Sequence, residues 1–257
     1  MSKKIPPKTA LCTYDEESIY IRDKNLCSEL IGKVTFTQML FFDILGRLPS
    51  KTEERVIDAM LVTLMEHGLA PSAIVTRLIY SSSPEALHGA VAAGLLGAGS
   101  VMLGTLGSSA RLLDKIVHDP DGPDVAIERE VNWHKENKVP VPGFGHPHHK
   151  PDDPRTIRLF AIAKDLGLPG NYVTACRNLG VAVDRIYGKH LTINASAAMA
   201  ALLREIDVPV ELMQGFAVIC RAAGLVAHVY EEMSDPAAWV MTKAASQAVP
   251  YSGSALK

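Results

Sequence analysis

The sequence is poor in aromatic residues, in excess charge of either sign and in long hydrophobic runs. Aromatic side chains make up 6% of the 257 residues and hydrophobic residues 47%, so the core must be aliphatic and alanine-rich, which favours helix packed on helix. A formal net charge of −2 gives no basic surface for nucleic acid. No run of about eighteen residues is free of charges and helix breakers, so we expect no membrane span.

Cysteine is also scarce. The four cysteines, Cys12, Cys27, Cys176 and Cys220, are widely separated and form no CxxC pair. This spacing fits a reduced cytoplasm better than a disulfide framework or a zinc site. The N-terminal residues 1–18 contain no apolar signal core, so we expect a cytoplasmic protein.

Helix signals dominate the chain after residue 30, and we predict an all-α fold. Ser50 and Glu53 form a capping box for a helix that runs to about His67. The Ser83-Pro84 pair predicts the start of another helix. Further helices are predicted at 36–47, 72–80, 110–118, 126–137, 155–167, 171–187, 191–206 and from Pro209 onwards, with a mixed tail from Ser234. Residues 1–30 predict a short β-hairpin or an extended arm.

The helix expected after Pro84 is rich in glycine. Six glycines fall between residues 89 and 107, and each costs roughly 1 kcal/mol of helix stability relative to alanine. Close packing of two helix backbones compensates for this loss, so the segment 88–107 predicts a tight interface. Together with the apolar helix after Pro209, it carries more apolar surface than a small lobe can bury. We therefore expect a homodimer or a higher oligomer.

The loop Pro142–Arg155 is the first candidate for a functional site. Four prolines in its fourteen residues exclude a regular helix or strand. It nevertheless carries three histidines, a lysine, two aspartates and an arginine. Binding and catalytic groups concentrate on loops that a rigid scaffold holds in place.

Arg221 is the clearest single candidate, because it lies in the middle of an apolar helix. Burial of an unpaired guanidinium is very costly, so either a carboxylate of the protein or a ligand anion must pair with it. His67 and His88, taken alone, are also compatible with ordinary packing roles. Three histidines of the loop could ligate a metal, but adjacent rings on a stiff loop fit anion binding better than a fixed metal geometry. We expect no metal.

Five segments in this order resemble the citrate synthase superfamily. PGFGH followed by DPR resembles its substrate loop, and MEHGLAPS and EALHGAVAAG resemble two upstream motifs. KHLTINASAAMAALLREIDVP and CRAAGLVAHVYEE resemble two downstream motifs. The resemblance covers roughly residues 20–233, and the chain is most similar to the short citryl-CoA lyases. It implies an all-α fold with a large helical domain and a smaller lobe, and an obligate dimer.

The resemblance also implies domain boundaries and site residues. It implies an N-terminal arm at 1–30, a large domain over 31–145, a small lobe at about 146–205 and a large-domain C-terminal helix and tail over 206–257. His88 matches the histidine that stabilises the thioester enol, and His146 the histidine that moves a proton at the carbonyl or hydroxyl oxygen. The positions that match carboxylate-binding residues are His67, Arg155 and Arg221, and those assigned to the coenzyme A side are Lys150, Gly143 and Gly145.

Asn194 departs from the family's pattern. It stands where the family has its catalytic aspartate, and an amide cannot act as a general base. Either another group or water protonates the enol during cleavage, or a different substrate makes the step unnecessary, or the protein is a weak or inactive homologue.

The resemblance therefore predicts a lyase that cleaves citryl-CoA, or a related carboxylated 3-hydroxyacyl-CoA, by a retro-aldol reaction. The products would be acetyl-CoA, or another acyl-CoA, and a 2-oxo acid such as oxaloacetate. Coenzyme A would act as part of the substrate thioester, and dicarboxylates or tricarboxylates as the other small-molecule partners. The alternatives are condensation of the citrate synthase type and a non-catalytic subunit that binds coenzyme A or a dicarboxylate.

Overall fold

The computed structural model describes residues 7–99 and 104–253, which form one small sheet and otherwise helices. This confirms the all-α class. The chain divides into two compact units, one up to Asp58 and one from Ala59 onwards. The division into a large domain and a small lobe at 146–205 stays a prediction.

The elements follow one another along the chain in a simple order. The strands are β1 Cys12–Tyr14, β2 Ile19–Ile21 and β3 Lys24–Asn25. The helices are α1 Phe36–Leu45, α2 Lys51–Met65, α3 Pro71–Ser82, α4 Leu87–Leu96, α5 Thr105–Val117, α6 Pro123–Glu136, α7 Pro154–Asp165, α8 Asn171–Tyr187, α9 Ala195–Glu205, α10 Met213–Ser234 and α11 Ala238–Ala248.

The first unit contains an antiparallel sheet in the order β1-β2-β3, so the predicted hairpin has a third strand. Arg22 follows β2 with a positive φ of 53°. Its guanidinium donates hydrogen bonds to the carbonyl oxygens of Phe42 at 3.1 Å and Asp43 at 2.7 Å. These carbonyls lie in the last turn of α1, and that of Phe42 also accepts from the N–H of Gly46 at 2.8 Å. The side chain therefore closes α1.

The second unit is built around α9, which is buried on nearly every face. Its alanines let α5, α7 and α8 pack closely against it. The last residue of α9, Glu205, caps α8. Its carboxylate accepts hydrogen bonds from the N–H groups of Gly170 at 2.9 Å, Tyr172 at 2.7 Å and Val173 at 2.9 Å. Thus one buried carboxylate joins two core helices.

Helix α10 is less central than its apolar sequence predicts. Its buried residues recur every three or four positions and so form one face. On the rest of the helix, Val226, Tyr230 and Met233 are exposed. The following helix, α11, adds Trp239, which is 81% exposed. The sequence predicts a mixed tail from Ser234, but Ala238–Ala248 within it form α11.

The Ser83-Pro84 pair does not begin a helix, so this prediction was wrong. Ser83 ends α3, and its N–H donates to the carbonyl of Ile79 at 3.0 Å. A proline disfavours the helical conformation in the residue before it, and Ser83 has φ −144° and ψ 69°.

The expected glycine-rich helix is also divided. Its first part, α4, ends before Gly97, residues 100–103 lie outside the described residues, and α5 begins at Thr105.

One helical stretch of the described residues, Val210–Ser234, is long and apolar enough to cross a membrane by length and composition. Half of its most apolar window is buried inside the protein. Core helices of globular proteins meet the same test, so this is weak evidence for a membrane span.

We predict that Glu205→Ala lowers the free energy of unfolding by about 2–4 kcal/mol, because three N–H groups at the start of α8 lose a charged acceptor. Urea unfolding followed by circular dichroism measures this change. Glu136→Ala is the control, since Glu136 is exposed at the end of α6, and we expect it to change stability by no more than about 0.5 kcal/mol. Equal effects of the two substitutions would contradict the capping role.

Candidate active site

A cavity of about 700 Å³ opens in the second unit beside the proline-rich loop. The loop, the residues before α3 and the starts of α3, α5 and α9 form its wall, together with α10. Its titratable side chains are His67, His146, His148, Arg155 and Arg221. Among the described lining residues there is no carboxylate. The cavity therefore suits an anion.

Two glycines bend the loop against the start of α9. Gly143 and Gly145 have positive φ angles of 87° and 85°. Between them Phe144 forms an isolated antiparallel bridge with Ile193. The N–H of Asn194 donates to the carbonyl of Gly143 at 3.0 Å. These bonds fix the loop that carries the histidines to the most buried helix of the unit.

Asn194 has a structural role at this junction. Its Oδ1 accepts hydrogen bonds from the N–H groups of Ser196 at 3.0 Å and Ala197 at 3.3 Å, which caps α9. Its Nδ2 donates to the carbonyl of Gly145 at 3.2 Å. Both ends of the amide are thus committed to the backbone, although the residue lines the cavity.

Arg155 is held by the carboxylate of Asp153, the residue that precedes α7. Asp153 is fully buried, and its two oxygens accept from Nε of Arg155 at 3.0 Å and Nη2 at 2.8 Å. The N–H of Ala195 donates to the same carboxylate at 3.1 Å. Burial acts to raise the pKa of Asp153, but the hydrogen bonds and charge of Arg155 outweigh it and leave the pKa lowered. The charge of Arg155 is therefore already balanced.

The backbone fixes the tautomer of His146. Its Nδ1 accepts hydrogen bonds from the N–H groups of His148 at 3.1 Å and His149 at 2.9 Å. Burial, with a smaller contribution from His149, lowers the pKa of His146 to about 4. The neutral ring must then carry its proton on Nε2. Nη2 of Arg155 lies 3.3 Å from this Nε2, so two donors face an oxygen that binds beside them.

His67 and His149 form a pair next to His146. Their Nε2 atoms lie 3.2 Å apart, and the His149 ring stacks on the His146 ring with centroids 4.4 Å apart. Burial is the largest cause that lowers the pKa of His67, followed by the charge of Arg155. No local sequence pattern indicates this pair, because 82 positions separate its members.

A nitrogen atom from each of His67, His146 and His149 lies within 4.8 Å of the others, a spacing that could hold a metal ion. A neutral histidine ligand needs one free ring nitrogen and a proton on the other. Nδ1 of His146 already accepts two N–H groups, and the proton stays on Nε2. The donor set therefore fits a metal poorly, and the expectation of no metal stays a prediction.

Arg221 is 2% exposed and makes no hydrogen bond or ion pair with the described residues. Burial lowers the pKa of Arg221, and the charge of Glu66 partly offsets this effect. The other deeply buried arginine, Arg77, is by contrast paired with Glu232, with Nη1 and Oε2 3.0 Å apart. Of the two alternatives that the sequence leaves open for Arg221, the structure favours a ligand anion.

Two assigned residues lie outside the cavity wall. His88 is exposed at the start of α4, and Lys150 is exposed on the loop. Their assigned contacts with the thioester and with coenzyme A stay predictions. The structure does bring together His67, His146, Arg155, Asn194 and Arg221 with the two loop glycines, Gly143 and Gly145, in the wall of one cavity.

The fold and the cavity define an all-α protein with a site for a small anion. The family model for the citrate synthase C-terminal domain matches residues 13–240. This chain belongs to the citrate synthase family. A putative citrate synthase 2 of Mycobacterium tuberculosis is 30% identical over 192 residues, which is 72% of this chain and 49% of that protein. The chain thus spans about half the length of the curated relatives it matches.

Solved structures give the same fold. Citryl-CoA lyase from Hydrogenobacter thermophilus superposes with a TM-score of 0.86 at 34% identity, over 97% of this chain and 96% of that one. An ATP citrate lyase from Methanothrix soehngenii, in complex with citrate and coenzyme A, superposes with a TM-score of 0.77 at 18% identity. It covers 99% of this chain but only 43% of its own.

We predict that Gly143→Ala destabilises the protein by about 2–4 kcal/mol, because a Cβ there would lie 2.6 Å from Cβ of Ala197 in addition to the cost of a positive φ. Gly145→Ala is the matched control, since it has a similar φ but no atom within 4 Å of the added Cβ. It should cost only about 1 kcal/mol. Chemical unfolding of both variants measures the difference, and equal losses would show that the close approach is not needed.

We predict that Arg221→Met leaves the free energy of unfolding unchanged or raises it, because the guanidinium has no partner to lose among the described residues. Arg77→Met should instead cost about 3 kcal/mol or more, since it leaves the Glu232 carboxylate without its guanidinium partner. Denaturant titrations with and without citrate test both points. Citrate should stabilise the parent protein and fail to stabilise Arg221→Met. A loss of stability in Arg221→Met as large as in Arg77→Met would show that Arg221 has a structural role.

Proposed function

We propose that the protein is a carbon–carbon lyase that cleaves citryl-CoA, or a related carboxylated 3-hydroxyacyl-CoA, into an acyl-CoA and a 2-oxo acid. One observation carries the choice of direction. No carboxylate lines the described cavity, and Asn194 stands at the catalytic aspartate's position with both ends of its amide engaged. A site of this kind lacks the base that would take a proton from acetyl-CoA.

The near full-length similarity to a citryl-CoA lyase supports the same proposal. Two structures of this fold contain ligands of the matching chemistry. They are the ATP citrate lyase with citrate and coenzyme A, and a citrate synthase from Thermoplasma acidophilum with carboxymethyl-coenzyme A and oxaloacetate. Coenzyme A is therefore proposed as part of the substrate rather than as a resident cofactor.

In the proposed cleavage, the bond breaks between the hydroxyl-bearing carbon and the α-carbon of the thioester. The electron pair moves onto the thioester as an enolate, and the hydroxyl carbon becomes a ketone. Water in the cavity would take the hydroxyl proton and return one to the α-carbon, because His146 and Arg155 face that oxygen as donors and the amide of Asn194 cannot transfer a proton. The reaction needs no oxidant and no reductant. Charge thus develops first on the hydroxyl oxygen and then on the thioester oxygen, and donors at these two oxygens lower the barrier.

The cavity offers a donor pair for the first oxygen. Nε2 of His146 and Nη2 of Arg155 lie 3.3 Å apart and both donate, so an alkoxide beside them would accept from both. Arg221 would bind a carboxylate, because it is the guanidinium without a partner among the described residues. His88 remains the residue that the family resemblance assigns to the enolate.

Two further readings remain as alternatives. The curated relatives are named citrate synthases, which favours condensation. Exposure of His88 outside the cavity wall favours a non-catalytic protein that binds coenzyme A or a dicarboxylate. We also propose a cytoplasmic homodimer, and the exposed apolar residues of α10 and α11, such as Tyr230 and Trp239, support the association of two copies.

We predict that the purified protein releases acetyl-CoA and oxaloacetate from citryl-CoA, as measured by mass spectrometry of the products. His146→Ala should lower kcat by about 10²–10³-fold, because the oxygen loses a fixed donor. His190→Ala is the control, since His190 lies outside the cavity wall and pairs with Asp184.

A panel of carboxylated 3-hydroxyacyl-CoA thioesters extends the assay. If the protein cleaves a single thioester of the panel, that thioester identifies the 2-oxo acid that is released. Asn194→Asp tests the direction, because a carboxylate at this position should allow condensation of acetyl-CoA with oxaloacetate. Binding of coenzyme A without turnover of any member would contradict the lyase and favour the non-catalytic reading. Condensation by the unaltered protein would favour a synthase.

A further inference from the structure

The charges of the cavity do not match those of the proposed substrate. Among the described lining residues, Arg221 is an unpaired cation, and the charge of Arg155 is balanced by Asp153. His146 is neutral at neutral pH, because its pKa lies at about 4. A dicarboxylate brings two negative charges, since carboxylic acids are ionised near neutral pH. One of its two charges thus has no counterpart in the empty cavity.

His146 cannot supply the missing charge without breaking existing contacts. Its protonation would place a hydrogen on Nδ1, which already accepts the N–H groups of His148 and His149. The N–H groups of His148 and His149 would then point at the new N–H group on Nδ1, which is also a donor. The neighbouring histidines have no such restriction, because no hydrogen bond to Nδ1 of His67 or of His149 occurs in the part of the chain that the structure describes.

The contact between His67 and His149 is suited to share a proton. Their Nε2 atoms lie 3.2 Å apart, so one ring donates to the other while the pair is neutral. A proton added to the accepting ring at Nδ1 keeps this bond intact and gives a new N–H. His67 lines the cavity, whereas His149 is not part of its wall. Among the described residues, the charged or titratable groups around the pair are Glu66 with its partner His228, and His146, His148, Lys150, Asp153, Arg155 and Arg221.

We propose that binding of a dicarboxylate is coupled to the uptake of one proton, which the His67–His149 pair holds as the second cation of the site. His149 is then a positioning residue, which acts on the ligand through His67. The inference rests on the proposed function for the class of ligand, but it does not depend on whether the carbon–carbon bond is cleaved.

The direction of the pH dependence follows from charge. In the empty site, burial and the cation Arg155 keep the pKa of His67 below its usual value, so His67 is neutral at neutral pH. A bound carboxylate favours the charged form and raises this pKa. Affinity is then greatest at low pH and falls as pH rises through the raised pKa. Uptake of one proton corresponds to a loss of affinity of up to about tenfold per pH unit.

Isothermal titration calorimetry with oxaloacetate as the probe measures the proton directly. Titrations at pH about 7.5, one unit above the ordinary histidine pKa, are made in HEPES and in Tris, which differ in ionisation enthalpy. We expect about one proton taken up per site by the unaltered protein. His149→Gln keeps an amide donor but cannot hold the proton, so uptake should fall towards zero and the dependence of Kd on pH should flatten.

His190→Gln is the matched control. It makes the same change at an exposed histidine that lies outside the cavity wall and is not part of the pair, and it should retain proton uptake. Binding without uptake in the unaltered protein would overturn the inference and leave the lyase proposal standing. Uptake that survives in His149→Gln, with affinity reduced equally at every pH, would overturn it as well. A failure of oxaloacetate to bind at all would overturn both, and a separate cleavage assay with citryl-CoA tests the lyase alone.

Discussion

The buried carboxylate of Asp153 is the constraint on which the site depends. It caps α7 and accepts hydrogen bonds from Nε and Nη2 of Arg155 and from the N–H of Ala195 at the start of α9. A fully buried carboxylate without hydrogen-bond partners would be strongly destabilising, so Asp153, Arg155 and Ala195 are held together. The loop that carries His146 ends at Asp153 and Arg155, so this carboxylate anchors its C-terminal end. The same pairing removes the net charge of Arg155.

The rest of the cavity is organised around cations and donors that the protein does not satisfy itself. Arg221 is buried without a partner among the described residues, and the Nε2 proton of His146 points towards another donor. Such an arrangement costs stability in the empty protein and is repaid when an anion binds. An enzyme that stabilises a developing alkoxide uses donors that are held in place before the reaction. The site therefore has the features that the proposed lyase requires.

Much of the fold and of the candidate site was predictable from the sequence, because local patterns predict helices and motifs indicate the roles of residues. The all-α class, the family and the loop at Pro142–Arg155 followed from such signals. The division of the glycine-rich segment did not, because tertiary packing overrides local propensity there. The pairing of His67 with His149 joins residues 82 positions apart, which no local pattern reports. The capping role of Asn194 is a local feature, but its position in the catalytic motif favours an interpretation as a replacement for the catalytic aspartate.

The central claim is that the unpaired guanidinium of Arg221 exists to bind a substrate carboxylate. A crystal structure of the protein with citrate or oxaloacetate tests this claim most directly. The account predicts a carboxylate within hydrogen-bond distance of Arg221, about 3 Å, and a hydroxyl or carbonyl oxygen of the same ligand beside Nε2 of His146 and Nη2 of Arg155. A ligand bound elsewhere, with Arg221 paired to a carboxylate of the protein, would contradict it.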